Sequence, residues 1–193
     1  MGEKCGWATS EQIYIDYHDT DWGVPEWDSR ALWEKLILDG FQAGLSWLTI
    51  LKKRENFRVA FQGFDPNIIA NWGDDDVQRL LGNAGIIRHR GKIEAAIGNA
   101  KVWQKIEAEQ GFDTYLWAYV GGTPLQNRWT TREQVPTQTD ISRQISTDLK
   151  KRGFKFCGPT IVYAFMQAVG MVNDHLTDCP GHDRVAALAQ PKT

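Results

Sequence analysis

The chain has few cysteines and no long apolar run. Its three cysteines, Cys5, Cys157 and Cys179, cannot form a disulfide framework without leaving one of them unpaired. No segment reads as a secretory signal peptide, and no apolar run is long enough to cross a membrane. We therefore expect a protein of the reducing cytoplasm that has no membrane partner.

The chain also has little net charge. Its 22 Lys and Arg residues stand against 24 Asp and Glu residues, which gives a formal charge of -2. The molecule as a whole does not attract nucleic acid, so any DNA contact has to use local basic clusters. Such clusters occur at residues 52–58, 88–92 and 150–155. Each one alone is as consistent with a solvated helix face as with a DNA contact.

Apolar residues recur at helical rather than strand spacing. Leu32, Leu36 and Ile37 lie on one helical face, and residues 47–51 repeat the pattern. With 193 residues, 42% of them hydrophobic, the chain is long enough to bury a sizeable core. The sequence therefore predicts an all-α protein with a single domain over residues 1–193, built as one or two helical lobes.

Cap residues predict where several helices begin. Asp28 and Ser46 are suited to N-cap positions, and Asp65 precedes a proline at the first helical position. The acidic run 74–76 favours the opening turn of a helix that reaches residue 81, because the helix dipole attracts negative charge there. A longer helix is expected over residues 91–110, and residues 121–139 are predicted to form the longest loop.

Residues 150–170 predict a hairpin between two helices. The first helix is expected to span residues 142–151 and stop at Gly153, and the second to open at Gly158. Backbone N–H groups at such a helix start form an anion site beside the nearby cations. We predict a DNA phosphate site formed by Lys150, Arg152, Gly153, Lys155, Gly158 and Thr160. The alternative is an ordinary connection in a helical core, and Phe154 and Phe156 are expected to pack beneath the hairpin.

Candidate metal ligands lie near both ends of the chain. Cys5 and His18 are close to one end, and His175 and Cys179 are one helical turn apart near the other. Two thiolates and two imidazoles form a tetrahedral zinc set, and a site filled by four protein ligands is structural. From spacing alone, two buried thiols and two hydrogen-bonded histidines are an open alternative, and His182 is a further candidate ligand.

Large aromatic residues are concentrated in the first quarter of the chain. They are Trp7, Tyr14, Tyr17, Trp22, Trp27, Trp33 and Trp47. Any one of them is more typical of a core. Their crowding around Asp39 and Gln42 predicts an aromatic slot with one carboxylate, in which a flat cationic heterocycle would stack.

Several motifs together resemble the 3-methyladenine DNA glycosylase I family, within the helix-hairpin-helix glycosylase superfamily. The matching stretches are CGWA (5–8), YHDTDWGVP (17–25), QAGLSWLTILKKRE (42–55), FDP (64–66), GIIRHRGKI (85–93), KKRGFKFCGPT (150–160) and YAFMQAVGMVNDH (163–175). They extend over nearly the whole chain, so their combination is specific.

This resemblance implies a helix-hairpin-helix glycosylase fold in which a structural zinc ion joins the N- and C-terminal segments. The implied zinc ligands are Cys5, His18, His175 and Cys179. The implied base-binding residues are Tyr17, Trp22, Trp47, Trp7 and Tyr14. Asp39 is the implied catalytic residue, because its carboxylate would accept from the exocyclic amine of the base.

The implied reaction is hydrolysis of the N-glycosidic bond of 3-methyladenine in double-stranded DNA, which releases the free base and leaves an abasic site. A base in a duplex has to leave the stack before it can react. Because the N3-alkylated adenine is already cationic, it leaves without protonation. No lysine stands where lyase-type relatives keep their nucleophile, so we expect a monofunctional enzyme, acting as a monomer.

Two departures from the family pattern keep rival functions open. Asp39 stands where the family commonly has the longer Glu, and Asn173 stands where most of the superfamily has a catalytic Asp. Asp174 is expected to orient His175 or to cap locally. One rival is a lyase-type enzyme acting on oxidised pyrimidines or mismatches. The other is a non-catalytic or altered-specificity helix-hairpin-helix DNA-binding protein.

Overall fold

The protein is predominantly helical. The computed structural model describes residues 4–8 and 11–189. Within those ranges the α-helices are α1 (Gln12–Thr20), α2 (Ser29–Gln42), α3 (Trp47–Leu51), α4 (Arg54–Ala60), α5 (Pro66–Ile69), α6 (Asp74–Leu81), α7 (Arg90–Gln110), α8 (Phe112–Trp117), α9 (Asp140–Arg152), α10 (Pro159–Ala168) and α11 (Pro180–Ala186). Among these described residues, no helix is both long and apolar enough to cross a membrane.

Two very short strands correct the all-α prediction in detail. β1 (Leu125–Gln126) and β2 (Val172–Asn173) pair in parallel, with Leu125 opposite Val172. A strand of two residues has no period that a sequence could reveal. This pairing joins the predicted long loop, residues 121–139, to the segment that precedes His175.

The predicted caps start the helices around the candidate pocket. Side-chain oxygens of Asp28, Ser46 and Asp65 accept backbone N–H hydrogen bonds at the first turns of α2, α3 and α5. α6 begins at Asp74, so the whole acidic run lies in its first turn. α7 starts one residue earlier than predicted and is followed by Gly111, as expected.

The helix α2 lies at the centre of the molecule. It contacts α3, α7, α8 and α10, and Leu32, Trp33 and Phe41 on it are fully buried. Burying such a side chain contributes about 1.5–3 kcal/mol. The same helix carries Asp39, so the position of that carboxylate is set by a helix that is buried along most of its length.

α9 and α10 pack against each other and form the predicted hairpin. α9 ends at Gly153, whose φ of 104° is left-handed, and α10 begins with Pro159. Phe154 is buried as expected. The expectation for Phe156 is wrong: this residue is 37% exposed and has a positive φ of 56°.

Candidate active site and metal centre

A cavity of about 330 Å³, here called the base cavity, lies between α1, α2, α3 and α10. It is lined by all of the residues predicted to contact a base, namely Trp7, Tyr14, Tyr17, Trp22, Asp39 and Trp47. The rings form a continuous aromatic wall because they touch one another edge to face or at a tilt. Tyr17 and Trp47 have ring centres 5.4 Å apart, and Trp7 lies 5.1 Å from Trp22.

Asp39 is buried, and its carboxylate is shared with a residue that sequence reasoning missed. Oδ1 accepts a hydrogen bond from Lys35 Nζ at 2.5 Å, whereas Oδ2 is buried and has no hydrogen-bond partner in the described structure. The ammonium also lies 3.9 Å above the centre of the Trp47 ring. Lys35 precedes Asp39 by four residues, and that helical spacing was a readable signal of the pair.

Burial dominates the ionisation of this pair. It raises the pKa of the Asp39 carboxyl, and Lys35 opposes that rise by its charge and hydrogen bond. It also lowers the pKa of the Lys35 ammonium, which Asp39 opposes in turn. The carboxylate and the ammonium therefore each favour the charged form of the other, against the effect of burial.

The four predicted metal ligands meet in one buried cluster. Their candidate ligand atoms all lie within 4.8 Å of one another, although the residues come from opposite ends of the chain. Cys5 Sγ lies 3.6 Å from His175 Nδ1, and Cys179 Sγ lies 3.5 Å from His18 Nε2 and 3.6 Å from His175 Nδ1. Such a cluster can hold a metal ion.

The surroundings of the cluster fix which ring nitrogens face inward. His175 Nε2–H donates to the Trp22 carbonyl at 3.1 Å, and His18 Nδ1–H donates to Asp19 Oδ1 at 2.8 Å. In a neutral imidazole this arrangement makes the other nitrogen of each ring, which faces the cluster, the ligand atom. Gly181 N–H points at Cys179 Sγ at 3.4 Å, and hydrogen bonds from Cys5 and the two histidines lower the pKa of the Cys179 thiol.

His182 takes no part in the cluster. Its Nε2 contacts the Asn127 carbonyl at 3.0 Å and its Nδ1 contacts Asp183 at 3.2 Å. The alternative in which it replaces a ligand is therefore not supported. Cys157 is also outside the cluster, where burial raises the pKa of its thiol to about 11.

The hairpin is held by a buried side chain that sequence reasoning did not single out. Asn99 on α7 accepts from Lys155 N–H at 2.8 Å and donates to the Lys155 carbonyl at 3.0 Å. Lys150, Lys155 and Thr160 are exposed. Arg152 is engaged by Glu109 at 2.7 Å.

One predicted basic cluster contains a lysine with a structural contact. Lys92 is buried, and its ammonium donates to the carbonyls of Phe41 and Ala43 at 2.8 and 2.6 Å. These carbonyls belong to the last turn and the C-cap of α2, where a cation is favoured by the helix dipole. Lys92 therefore caps the helix that carries Asp39.

Asn173 and Asp174 are both engaged in internal contacts. Asp174 Oδ1 accepts from Asn127 and Trp129, and Oδ2 accepts from Tyr163 at 2.6 Å and from Gln167 at 2.8 Å. With two donors on each oxygen, this carboxylate is poorly placed to act as a base. The expectation that Asp174 orients His175 or caps locally is wrong, because its hydrogen bonds go to these four side chains; the Asn173 side chain accepts from the His175 backbone N–H at 3.3 Å.

Comparison with known proteins agrees with the motifs. A family model described as methyladenine glycosylase matches residues 7–182. DNA-3-methyladenine glycosylase 1 of Escherichia coli (strain K12) is 52% identical over 178 residues, which cover 92% of this chain and 95% of that protein. A solved structure of 3-methyladenine DNA glycosylase I superposes with a TM-score of 0.92 at 51% identity and covers 93% of this chain and 100% of its own.

A further solved structure bears on the cavity. It is a variant of 3-methyladenine DNA glycosylase I in complex with 3-methyladenine, with a TM-score of 0.90 at 41% identity over 92% of this chain and 96% of its own. The fold, the matched length and these identities agree. The chain therefore belongs to the methyladenine glycosylase family.

Proposed function

We propose that this protein is a monofunctional DNA glycosylase that hydrolyses the N-glycosidic bond of 3-methyladenine in alkylated DNA. The observation that carries the proposal is the base cavity, whose aromatic lining includes the buried carboxylate of Asp39 with one oxygen that has no hydrogen-bond partner in the described structure. Relatives about half identical to the chain bear the name of this activity. Repair of alkylated DNA by base excision is the corresponding role.

Recognition of the base rests on charge and stacking. An N3-methylated adenine still attached to its sugar is a cation, and a cation is attracted to an aromatic face and to a carboxylate. Stacking on the face of Trp47 would hold the ring, and Asp39 would accept from its exocyclic amine. Adenine in normal DNA is neutral and gains less from both contacts.

Bond cleavage then needs little acid or base help. The C1′–N9 bond breaks with its electron pair moving to the base, which becomes neutral, and water adds to C1′ and loses a proton. Because the leaving group already carries its positive charge, binding that favours the departing base supplies much of the rate. This agrees with Asn173 and Asp174 being committed to other hydrogen bonds.

The hairpin would hold the DNA backbone while the base is turned out of the duplex. Lys150, Lys155 and Thr160 are exposed around the N-terminus of α10, where free N–H groups favour a phosphate. Gly153 and Gly158 let the chain approach closely. Arg152 is placed to contribute as well, once it leaves Glu109.

A wedge is required to fill the gap in the base stack, and the structure offers Leu45. Its side chain is 42% exposed, and it follows Gly44, whose φ of 79° makes the tight turn between α2 and α3. It is thus an exposed apolar residue at the junction of the two helices that carry Asp39 and Trp47. Inserting such a side chain between base pairs is a common way to stabilise an extruded base.

Zinc fits the buried cluster better than two unrelated Cys–His contacts do. Bond lengths of about 2.3 Å to sulfur and about 2.0 Å to nitrogen at a tetrahedral angle place these atoms about 3.5 Å apart. The three sulfur–nitrogen separations are 3.5–3.6 Å. With four protein ligands the ion would be structural and would join the terminal segments.

The single-domain, monomeric and cytoplasmic assignments stay predictions.

Release of free 3-methyladenine from DNA treated with a methylating agent tests the proposed function. The purified protein is expected to release the base and to leave strands that break only after alkali treatment. A non-catalytic DNA-binding protein would bind the same DNA and release nothing. A lyase-type enzyme would nick the strand unaided and would be trapped on it by borohydride.

A further inference from the structure

Lys35 lies in a wall between two cavities. On one side is the base cavity, and on the other is a cavity of about 270 Å³, here called the side cavity. The wall is formed by Tyr17, Lys35 and Trp47 together with Ala168, all of which line both spaces. A lysine at this position can direct its ammonium to either side by rotating its side chain.

In the structure the Lys35 ammonium occupies a position in the base cavity where a carboxylate and an aromatic face both stabilise a cation. It is hydrogen-bonded to Asp39 at 2.5 Å and stands 3.9 Å above the Trp47 ring. A base that stacks on this face of Trp47 needs the same layer of space, at the same height above the ring. A cationic base also needs the same carboxylate. The base and the Lys35 ammonium therefore exclude each other.

The side cavity offers acceptors for a displaced ammonium. Asp21, Glu26 and Glu34 line it. Asp21 is paired with Arg54 at 2.7 Å and Glu34 with Arg58 at 2.7 Å. Each of these carboxylates has acceptor capacity beyond one cation, since a carboxylate has about four lone-pair sites.

We propose that Lys35 is a specificity-determining residue that the base displaces. In the free protein its ammonium occupies the cation position between Asp39 and Trp47, and it moves into the side cavity when the base enters. This inference rests on the proposed function. It explains how a carboxylate one methylene shorter than the family's usual Glu stays charged in a closed aromatic wall. A neutral base cannot replace the ammonium at Asp39, so the exchange favours a cationic one.

The charged groups that face Lys35 from neighbouring elements leave Asp39 as its main partner. Arg54 comes from α4 and Asp21 follows α1, and these two are paired with each other. The Tyr17 phenol comes from α1, where burial raises its pKa well above the ordinary value, so it stays neutral. The i,i+4 carboxylate of Asp39 is thus the group whose ionisation depends on Lys35.

Structures of the protein with 3-methyladenine bound test the exchange directly. The Lys35 ammonium is expected to lie within about 4 Å of Asp21, Glu26 or Glu34, with the base over Trp47. An ammonium still hydrogen-bonded to Asp39 beside a bound base would overturn the proposal. A base bound elsewhere would overturn the proposed function instead, so the two failures are distinguishable.

Kinetics of Lys35→Met and Lys35→Arg supply a second test. Without the ammonium the pKa of the Asp39 carboxyl rises. The acid side of the pH profile of the single-turnover excision rate is therefore expected to move up by about one pH unit in Lys35→Met. Lys35→Arg keeps a cation and is expected to keep the limb in place, as is Lys105→Met, which removes an exposed lysine on α7.

If the wild-type protein is active and the acid side of the pH–rate profile is unchanged in Lys35→Met, the proposed displacement of Lys35 is contradicted. A uniform loss of rate with no shift would point to packing alone and would contradict it equally. Absence of release by the wild-type protein itself would instead remove the proposed function.

Discussion

Gly40 of α2 packs directly on the hairpin at Phe156. A Cβ atom at Gly40 would lie 3.2 Å from the Phe156 carbonyl oxygen and 3.4 Å from its Cβ. Gly40 follows Asp39 in sequence, so the segment proposed to grip DNA and the carboxylate proposed to bind the base are separated by one close backbone contact. This contact therefore fixes the distance between the proposed base site and the proposed binding site for the DNA strand.

This contact predicts that Gly40→Ala lowers excision more than stability. The added methyl group pushes the hairpin away by a few tenths of an ångström, while alanine favours the helix by about 1 kcal/mol. We expect an unfolding free energy within about 1 kcal/mol of wild type and excision about tenfold slower. Gly98→Ala on α7 is the control, because no atom lies within 4 Å of its added Cβ. Equal excision by both variants would contradict the coupling.

Asp39→Asn is expected to reduce single-turnover release of 3-methyladenine by about 10- to 100-fold, because a charged hydrogen bond to the base becomes a neutral one. Asp39→Glu keeps the charge and is expected to retain release well above that of Asp39→Asn. Asp74→Asn, an exposed change on α6, serves as the surface control. Full activity of Asp39→Asn would remove this residue from the site.

The pH dependence of excision follows from the same carboxylate. Burial raises the pKa of Asp39, and the form that attracts a cation is the ionised one. That form is lost as the pH falls through the raised pKa, so activity is expected to decline on the acid side at a pH above the ordinary aspartate value of about 3.9. A pH titration of excision measures this limb. A limb that persists unchanged in Asp39→Asn would assign it to another group.

Removal of metal is expected to unfold the protein. Zinc ligation by two cysteines and two histidines contributes on the order of 10 kcal/mol, so a strong chelator or Cys179→Ser should abolish cooperative folding at ordinary temperature. Elemental analysis is expected to give about one zinc per chain. Cys157→Ala removes a buried thiol outside the cluster and should retain the metal. A folded, metal-free wild-type preparation would refute the zinc site.

Lys155→Gln is expected to weaken binding of undamaged duplex DNA and to reduce the slope of log affinity against log salt by about one, because one phosphate contact is lost. Lys105→Gln, far along α7, should change neither. Fluorescence anisotropy over a salt series provides both numbers. An unaltered slope for Lys155→Gln would place the strand away from the hairpin.

Elements with their own local signal were predictable from the sequence. The helix starts were predicted from Asp28, Ser46 and Asp65, and the hairpin from Gly153 and Gly158. These predictions succeed because caps and turns depend on a few neighbouring residues. The meeting of Cys5 and His18 with His175 and Cys179 needed the family resemblance, since more than 150 residues separate the two pairs in the chain.

Features that depend on tertiary contacts were not predictable. Lys92 reads as part of a basic cluster, and only the folded chain shows its ammonium on the carbonyls of Phe41 and Ala43. Asn99 has no signal in the sequence because its partner is the backbone of Lys155. Lys35 was a partial exception, since its i,i+4 spacing from Asp39 was visible, whereas the position of its ammonium above the Trp47 ring was not.

A methylated adenine is proposed to bind in the base cavity, against Trp47 and Asp39. NMR spectra of the indole N–H groups, recorded as 3-methyladenine is added, test this most directly, since the tryptophans lie both in the cavity and in the distant core. Binding in the base cavity predicts saturable shifts for Trp47 and Trp22, with the buried Trp33 and Trp117 little changed. Shifts confined to core tryptophans, or none in a protein that still excises the base, would contradict it.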